Sequence, residues 1–276
     1  IVFRSVAPKS RTLNWFLFPQ ERRHQRNVKL ISAYINAVID KRLKENDPKK
    51  RDMLQVYINN NEPRNILYDM VLSFMSASRG NISGTLAFAL SYLAANPDKQ
   101  TKLREILRSS GIKRNDTDGM LEFHPSDKVP YLENVLTETL RLSPAVFIDG
   151  KEAMVDDVLP SGQRIPKGTM VFMDIYAMGR DEKRYAPDPN VFRPERWDVL
   201  KHSELEYELP IFQPGLRSCI GESLARLEAR IALAALVDKY EFSLAKQSEG
   251  WNGEYLIGSV LSPRNVDTVV ATVAPR

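Results

Sequence analysis

Residues 63–95 carry a helical pattern that is apolar on nearly every side: Ile66, Leu67, Met70, Val71, Phe74 and Met75, then Leu86, Phe88, Leu90 and Leu93. A surface helix needs only one apolar stripe, so a helix of this kind is expected to be buried, with other elements packed around it. Its middle, Ser76-Ala77-Ser78-Arg79-Gly80-Asn81, reads as an interruption of small and polar residues.

The rest of the chain supports a helix-rich reading. Residues 25–45 show helical periodicity through Val28, Ile31, Ile35, Val38, Ile39 and Leu43, closed by Asp47-Pro48. Asn96-Pro97-Asp98 opens a helix over 97–109, residues 110–127 are polar and loop-like, and Val129-Pro130 opens a helix through Arg141. Residues 144–175 change character: apolar pairs alternate with Asp149-Gly150, Pro160-Ser161-Gly162 and Pro166-Lys167-Gly168, the pattern of short strands and tight turns. Pro187, Pro189 and Pro194 make 185–200 irregular. An alanine- and leucine-rich helix runs from Gly221 to about Tyr240, and 254–273 is strand-like around a Ser262-Pro263-Arg264-Asn265 turn. The expected fold is mainly α with a small segregated β-sheet.

Composition excludes several functions. The net charge of +4 over 276 residues is mild and is not a nucleic-acid signature. The longest apolar run, Ile231 to Val237, is far too short to span a bilayer. No signal peptide is visible, and a start at Ile1 fits a processed chain or a piece of something longer. Residues 9–30 mix Lys and Arg with Trp15, Phe16, Leu17, Phe18 and Pro19; such a segment can lie on a membrane surface or fold its aromatics into the core. There is no zinc spacing, phosphate-cradling loop or nucleophile elbow. The single cysteine, Cys219, excludes an internal disulfide and any Cys–Cys metal site. It leaves two options, a small buried hydrophobe or a functional thiolate.

The surroundings of Cys219 decide between them. Phe212-Gln213-Pro214-Gly215-Leu216-Arg217-Ser218-Cys219-Ile220-Gly221 resembles, at every fixed position, the F-x-x-G-x-R-x-C-x-G loop of the cytochromes P-450. Chance would supply such a match in roughly one chain in ten thousand or fewer at ordinary residue frequencies. Glu138-Thr139-Leu140-Arg141 matches the family's E-x-x-R, whose two charges share one helical face. Phe192-Arg193-Pro194-Glu195-Arg196-Trp197 is similar to its P-E-R-[FW] segment. Asp149-Gly150-Lys151, Asp156 to Pro160 and Tyr176 to Arg180 look like the branch that includes eukaryotic fatty-acid omega-hydroxylases.

The resemblance implies a cytochrome P-450 fold with haem b, its iron held by a Cys219 thiolate. Backbone N–H groups at the helix start would stabilise the sulfur's charge and tune the iron. Gly215 and Gly221 would let backbone approach the porphyrin, Arg217 would neutralise a propionate, and Phe212 would cover the sulfur side. Lys151 lies near where other members place a basic residue toward a propionate. Glu138, Arg141 and Arg196 would form a buried network locking the loop before the haem. The implied chemistry is oxygen insertion from O2 into a lipophilic substrate, a fatty acid on the branch resemblance. Electrons would come from NADPH through a flavoprotein reductase, at the cytoplasmic face of the endoplasmic reticulum membrane in the full-length protein. The Ser262–Asn265 turn would line the substrate pocket.

Two departures matter. Where the family has [AG]-G-x-[DE]-T-[TS] in its long helix, this chain reads Ala77-Ser78-Arg79-Gly80-Asn81-Ile82. Ala77 keeps the small residue beside the haem, but the acid and the threonine that relay protons are Gly80 and Asn81. Loss of such a relay costs orders of magnitude, and water, Asn81, Ser78, Ser83 or the substrate would have to replace it. A haem-thiolate isomerase or peroxygenase, or a haem-binding remnant, are the competing readings; a haem-free helical interaction module with Cys219 in its core is a third. The second departure is length. Residues 1–276 read as the C-terminal part of one cytochrome P-450 domain, without the membrane anchor, early helices and first strands. Residues 1–45 look like the segment joining two helices that often touches the membrane. The 276-residue chain alone is expected to bind haem poorly, because part of the sheet and pocket wall is missing from it.

Overall fold

The computed structural model describes residues 19–45, 47–115, 117, 119, 121–124, 128–199, 205–245, 255–257, 261–263 and 269–274. The aromatic cluster at 15–18 and residues 264–265 of the tail turn lie outside them. The backbone divides into two compact units, Ile1–Ala77 and Ser78–Arg276.

In the first unit, α1 (Pro19–Glu45) begins six residues before its apolar periodicity does. Proline at the first helical position fits there because its missing N–H would be unpaired in any case. Helix α2 (Met53–Asn59) is capped by Asp52, whose carboxylate accepts the Gln55 N–H at 3.1 Å and holds Arg42 through two bonds at 2.7 and 2.6 Å. Next comes α3 (Arg64–Ala95). Ile35 and Ile39 of α1, Leu54 of α2, and Leu67 and Met70 of α3 form this unit's core. The Ser32 and Tyr68 hydroxyls meet at 2.6 Å beside it.

Helix α3 corrects two expectations. It runs unbroken through the small and polar middle. Ser76 donates to Leu72 O (2.8 Å), Ser83 to Arg79 O (2.7 Å) and Thr85 to Asn81 O (2.9 Å). Hydroxyls satisfied on the preceding turn do not compete with the helix. Nor is α3 buried throughout: Phe88, Ala89, Tyr92 and Leu93 sit in the second unit's core, but residues 73–79 are exposed, Phe74 and Met75 included.

The second unit is built on α4 (Pro97–Ser109) and α5 (Pro130–Leu142), each with proline at its start. The strands and short helices follow: β1 (Ile148–Glu152), β2 (Asp157–Val158), β3 (Arg164–Ile165), β4 (Met170–Asp174), α6 (Ile175–Met178) and α7 (Glu182–Tyr185). A 3-10 turn at Pro194–Asp198, α8 (Leu205–Glu208) and a second 3-10 turn at Gly215–Arg217 lead to α9 (Glu222–Lys239). The chain closes with β5 (Tyr240–Leu244), β6 (Tyr255–Ile257), β7 (Leu261–Pro263) and β8 (Val269–Val273). Among the described residues the strands form four two-stranded antiparallel sheets, β1–β4, β2–β3, β5–β8 and β6–β7, rather than a single sheet. The described residues are mainly helical, with small sheets.

The second unit's core joins the last turns of α3 to Leu103 and Leu107 of α4, Leu132, Val135 and Leu136 of α5, and Leu233, Ala234 and Val237 of α9. Two long polar side chains buried beside it are paired. The Gln100 side-chain amide exchanges two hydrogen bonds with the Phe242 backbone, both at 2.8 Å. Arg104 donates to Val237 O and Tyr240 O, each at 2.9 Å, satisfying carbonyls at the end of α9.

Candidate functional site

Cys219 is exposed. That overturns the reading in which it packs as a core hydrophobe, and with it the haem-free module built on such a core. The loop that presents it is shaped by its backbone. Gln213 and Gly215 both adopt positive φ, +64° and +74°, and the chain then tightens into the Gly215–Arg217 turn. Only glycine takes that conformation without cost, which is why position 215 requires it. The Cys219 N–H donates to Phe212 O at 2.7 Å, tying the two ends of the loop together. The Ser218 N–H donates to Gly215 O at 3.0 Å.

Cys219 does not stand at the helix start as expected. Gly221 is the N-cap of α9 and Glu222 its first residue, so the sulfur precedes the helix by three positions. The reason is the tight turn in between: the Glu222 N–H is taken by Cys219 O at 3.2 Å. A Cβ on Gly221 would meet the sulfur at 3.7 Å, an ordinary contact.

In the same loop, Leu216 and Ile220 expose their apolar side chains, and Arg217 is exposed as well. Among the described residues no carboxylate pairs with Arg217. Phe212 is half-buried beneath the Arg226 guanidinium, 4.9 Å from its ring centre. Arg226 is itself held by Glu133 of α5 at 2.7 Å and Glu222 at 2.9 Å. Lys151 on β1 reaches this loop, donating to the Gln213 side-chain oxygen at 2.7 Å and pairing with Asp149 at 3.1 Å. Its ammonium is thus turned to protein groups. Burial acts to raise the Asp149 carboxyl, but the Gln213 side chain and Lys151 together hold it below the usual carboxylate range.

A buried ionic cluster ties α5 to the segment that precedes the loop in sequence. Glu138 and Arg141 on α5 are fully buried and Arg196 nearly so. Arg141 donates to both Glu138 oxygens at 2.8 Å and Arg196 to one at 2.9 Å. The Arg193 backbone N–H (2.9 Å) and the Trp197 indole (3.1 Å) complete the shell of the carboxylate. The guanidinium of Arg141 also donates to carbonyls of Gly179, Pro189 (2.6 Å) and Val191 (3.2 Å). Arg196 adds bonds to the carbonyls of Asp188 (3.1 Å) and Val191 (3.2 Å). Both guanidiniums lie over Tyr185, at 4.7 and 5.8 Å from its centre. Three elements therefore converge on one carboxylate: α5, the loop after α7, and the Pro194–Asp198 turn. Sequence reasoning left Trp197 and Gly179 without a role. The first adjoins Arg196 in a recognised motif; the second gave no local signal, yet a Cβ there would lie 2.2 Å from Arg141 O.

Ala77 is exposed in the middle of α3, the last residue of the first unit. Of the polar groups proposed to replace the missing relay, Ser83 has its hydroxyl committed to the α3 backbone. In the tail, Ser262 and Pro263 belong to β7 rather than to a turn.

An iron porphyrin requires a soft ligand, apolar surface for its flat face and a cation for its propionates. The Cys219 loop presents an exposed thiol, exposed Leu216 and Ile220, and exposed Arg217 within ten residues. The donor set fits such a group.

A family model described as cytochrome P-450 matches residues 2–269. The chain is 30% identical over 251 residues to cytochrome P-450 CYP94D109 of Paris polyphylla, covering 87% of this chain and 50% of that one. It is 36% identical over 181 residues to cytochrome P-450 52-M1 of Starmerella bombicola, covering 62% and 33%. It thus spans about half or less of the length of these curated relatives. The crystal structure of a cytochrome P-450 (CYP102L1) superposes with a TM-score of 0.76 at 24% identity, over 92% of this chain and 58% of that one, a likeness of fold. With the cysteine loop, the buried Glu138 cluster and a family model matched along almost its whole length, the chain belongs to the cytochrome P-450 family.

Proposed function

We propose that this chain forms the C-terminal part of one cytochrome P-450 domain and supplies the haem-thiolate side of a monooxygenase acting on a lipophilic substrate, a fatty acid by resemblance of branch. One observation carries the reading: an exposed thiol, with an exposed cation and apolar side chains beside it, on a loop closed by the Cys219 N–H on Phe212 O. Cys219 would ligate the iron of haem b, and Arg217 would meet a propionate. Phe212, fixed under Arg226, would keep water from the sulfur. Gly215 and Gly221 would allow the backbone its close approach, and Ala77 would leave room on α3. Glu138, Arg141 and Arg196 would hold the segment preceding the loop rigid. Haem with a thiolate ligand supplies electron donation that favours O–O cleavage and C–H oxidation.

The full-length protein would take electrons from NADPH through a flavoprotein reductase and work at the cytoplasmic face of the endoplasmic reticulum membrane. Among the described residues no helix is long and apolar enough to cross a membrane. Gly80 and Asn81 favour a second reading, an isomerase or peroxygenase that needs no proton relay to oxygen, or a haem-binding remnant.

The test is haem titration of the purified chain followed by the carbon-monoxide difference spectrum after reduction. A thiolate-type Soret band, weak because this chain alone is expected to hold haem poorly, that disappears in Cys219→Ser supports the reading; a haem band that forms and is unchanged by that substitution overturns it. Product analysis with a reductase, against a parallel reaction with hydrogen peroxide, separates monooxygenase from peroxygenase across a fatty-acid panel. Turnover by neither route leaves the remnant.

A further inference from the structure

Gln213 is a non-glycine residue at φ +64°, directly after Phe212, whose carbonyl receives the Cys219 N–H. Such a backbone state is uncommon for a residue with a Cβ and persists only where the surroundings hold it. Here the side chain is held: its oxygen accepts from Lys151 at 2.7 Å, and Lys151 is fixed in turn by Asp149 at 3.1 Å. Asp149 and Lys151 stand two apart on β1, so both side chains leave the same face of the strand. The strand is anchored by its antiparallel ladder to β4, with Asp149 opposite Met173 and Lys151 opposite Val171.

We infer that Asp149, Lys151 and Gln213 form a clasp from strand β1 to the cysteine loop, and that Lys151 and Gln213 are positioning residues for the Cys219 sulfur. The inference rests on the haem-thiolate reading for its consequence, but not for its geometry. The chain of contacts is short: β1 fixes Lys151, Lys151 fixes the Gln213 side chain, and Gln213 sets the direction in which Phe212 O points. That carbonyl is the acceptor that holds Cys219 from the other end of the loop. The covalent path between the loop and β1 is 62 residues long, so without the clasp the loop's first half depends on its own turns. Glycine at 213 would suit the backbone better; glutamine retained at positive φ is explained by what its side chain reaches.

Amide hydrogen exchange on the full 276-residue chain tests this without haem, because the Cys219 N–H is a protected reporter in the loop. In Lys151→Met and Gln213→Gly, exchange in a peptide covering 212–221 is expected to rise about tenfold, the effect of losing one charge-assisted hydrogen bond. Exchange in the 130–142 helix stays unchanged, and Lys151→Arg restores protection. Haem titration of the same variants is expected to weaken in parallel. Loop exchange unchanged in both variants, or equal rises across the molecule, overturns the clasp. Intact loop effects in a chain whose haem band is unchanged by Cys219→Ser leave the clasp standing and remove the haem-thiolate reading instead.

Discussion

Replacing Glu138 by alanine removes the centre of the buried cluster. The carboxylate receives Arg141 twice, Arg196, Trp197 and the Arg193 N–H, all between 2.8 and 3.1 Å. Five such bonds at about 1.5 kcal/mol each would suggest a loss of about 7.5 kcal/mol. That figure is too large, because the guanidiniums keep other acceptors: Gly179, Pro189 and Val191 carbonyls for Arg141, Asp188 and Val191 for Arg196. What those carbonyls do not replace is the negative charge: Arg141 is left without a carboxylate and Arg196 with Asp188 alone, at 3.5 Å. Breaking a buried pair in this way costs about 3–5 kcal/mol, at least about a fifth of the stability of a typical domain, about 5–15 kcal/mol. With a urea m-value of about 3 kcal/mol per molar, the unfolding midpoint should fall by about 1–1.7 M. Glu138→Gln should recover little, since one amide oxygen cannot serve donors arriving at both carboxylate positions. A midpoint shift below about 0.3 M, within the error of such measurements, would mean that the cluster is solvated in solution and that the argument from burial fails.

Gly179→Ala should cost about 1–3 kcal/mol by thermal melting, because the new Cβ would meet backbone at 2.2 Å and the segment carrying it also accepts from Arg141. A variant as stable as the parent would show that the α6 end can shift freely. Arg104→Met should lower stability by about 2 kcal/mol, with increased exchange at the end of α9, since the carbonyls of Val237 and Tyr240 lose their donor. Burial acts to raise the Asp238 carboxyl, but Arg114 and Arg108 outweigh it and hold the group below its ordinary value of 3.8. A carboxyl depressed in the folded chain stabilises it fully above about pH 4 and loses that contribution as pH falls through the lower folded value. Asp238→Asn should therefore flatten the acid side of the stability profile below about pH 4, read from urea midpoints; an identical profile would contradict the pairing.

The sequence was most legible where proline and glycine punctuate it. Pro97, Pro130 and Gly221 each place a helix start to within a residue, because a proline at the first position or a glycine at the cap has one natural place. Helix α2 escaped notice because seven residues give no periodicity; Asp52 was its only signal. The early start of α1 was hidden by a polar, basic first turn and a half, which carries no apolar stripe to read. The middle of α3 misled in another way: an all-round apolar pattern tells which faces can be covered, not which are, and the two cores cover its ends. In the site, the spacing of Glu138 and Arg141 implies a pair, and the two residues meet at 2.8 Å. The carbonyls that complete the cluster and the reach of Lys151 to Gln213 belong to contacts between distant segments, which no local pattern records.

The bond pattern between Gln100 and Phe242 has a consequence for how the chain behaves among copies of itself. Strand β5 pairs with β8 on one side, and at Phe242 the other side is met by a side-chain amide that presents one donor and one acceptor, as a neighbouring strand would. A single glutamine from a helix thereby imitates one residue of a third strand and stops the ladder there. An open strand margin is a template for another molecule's backbone, so Gln100 acts as a terminator that leaves foreign strands nothing to add to at that point.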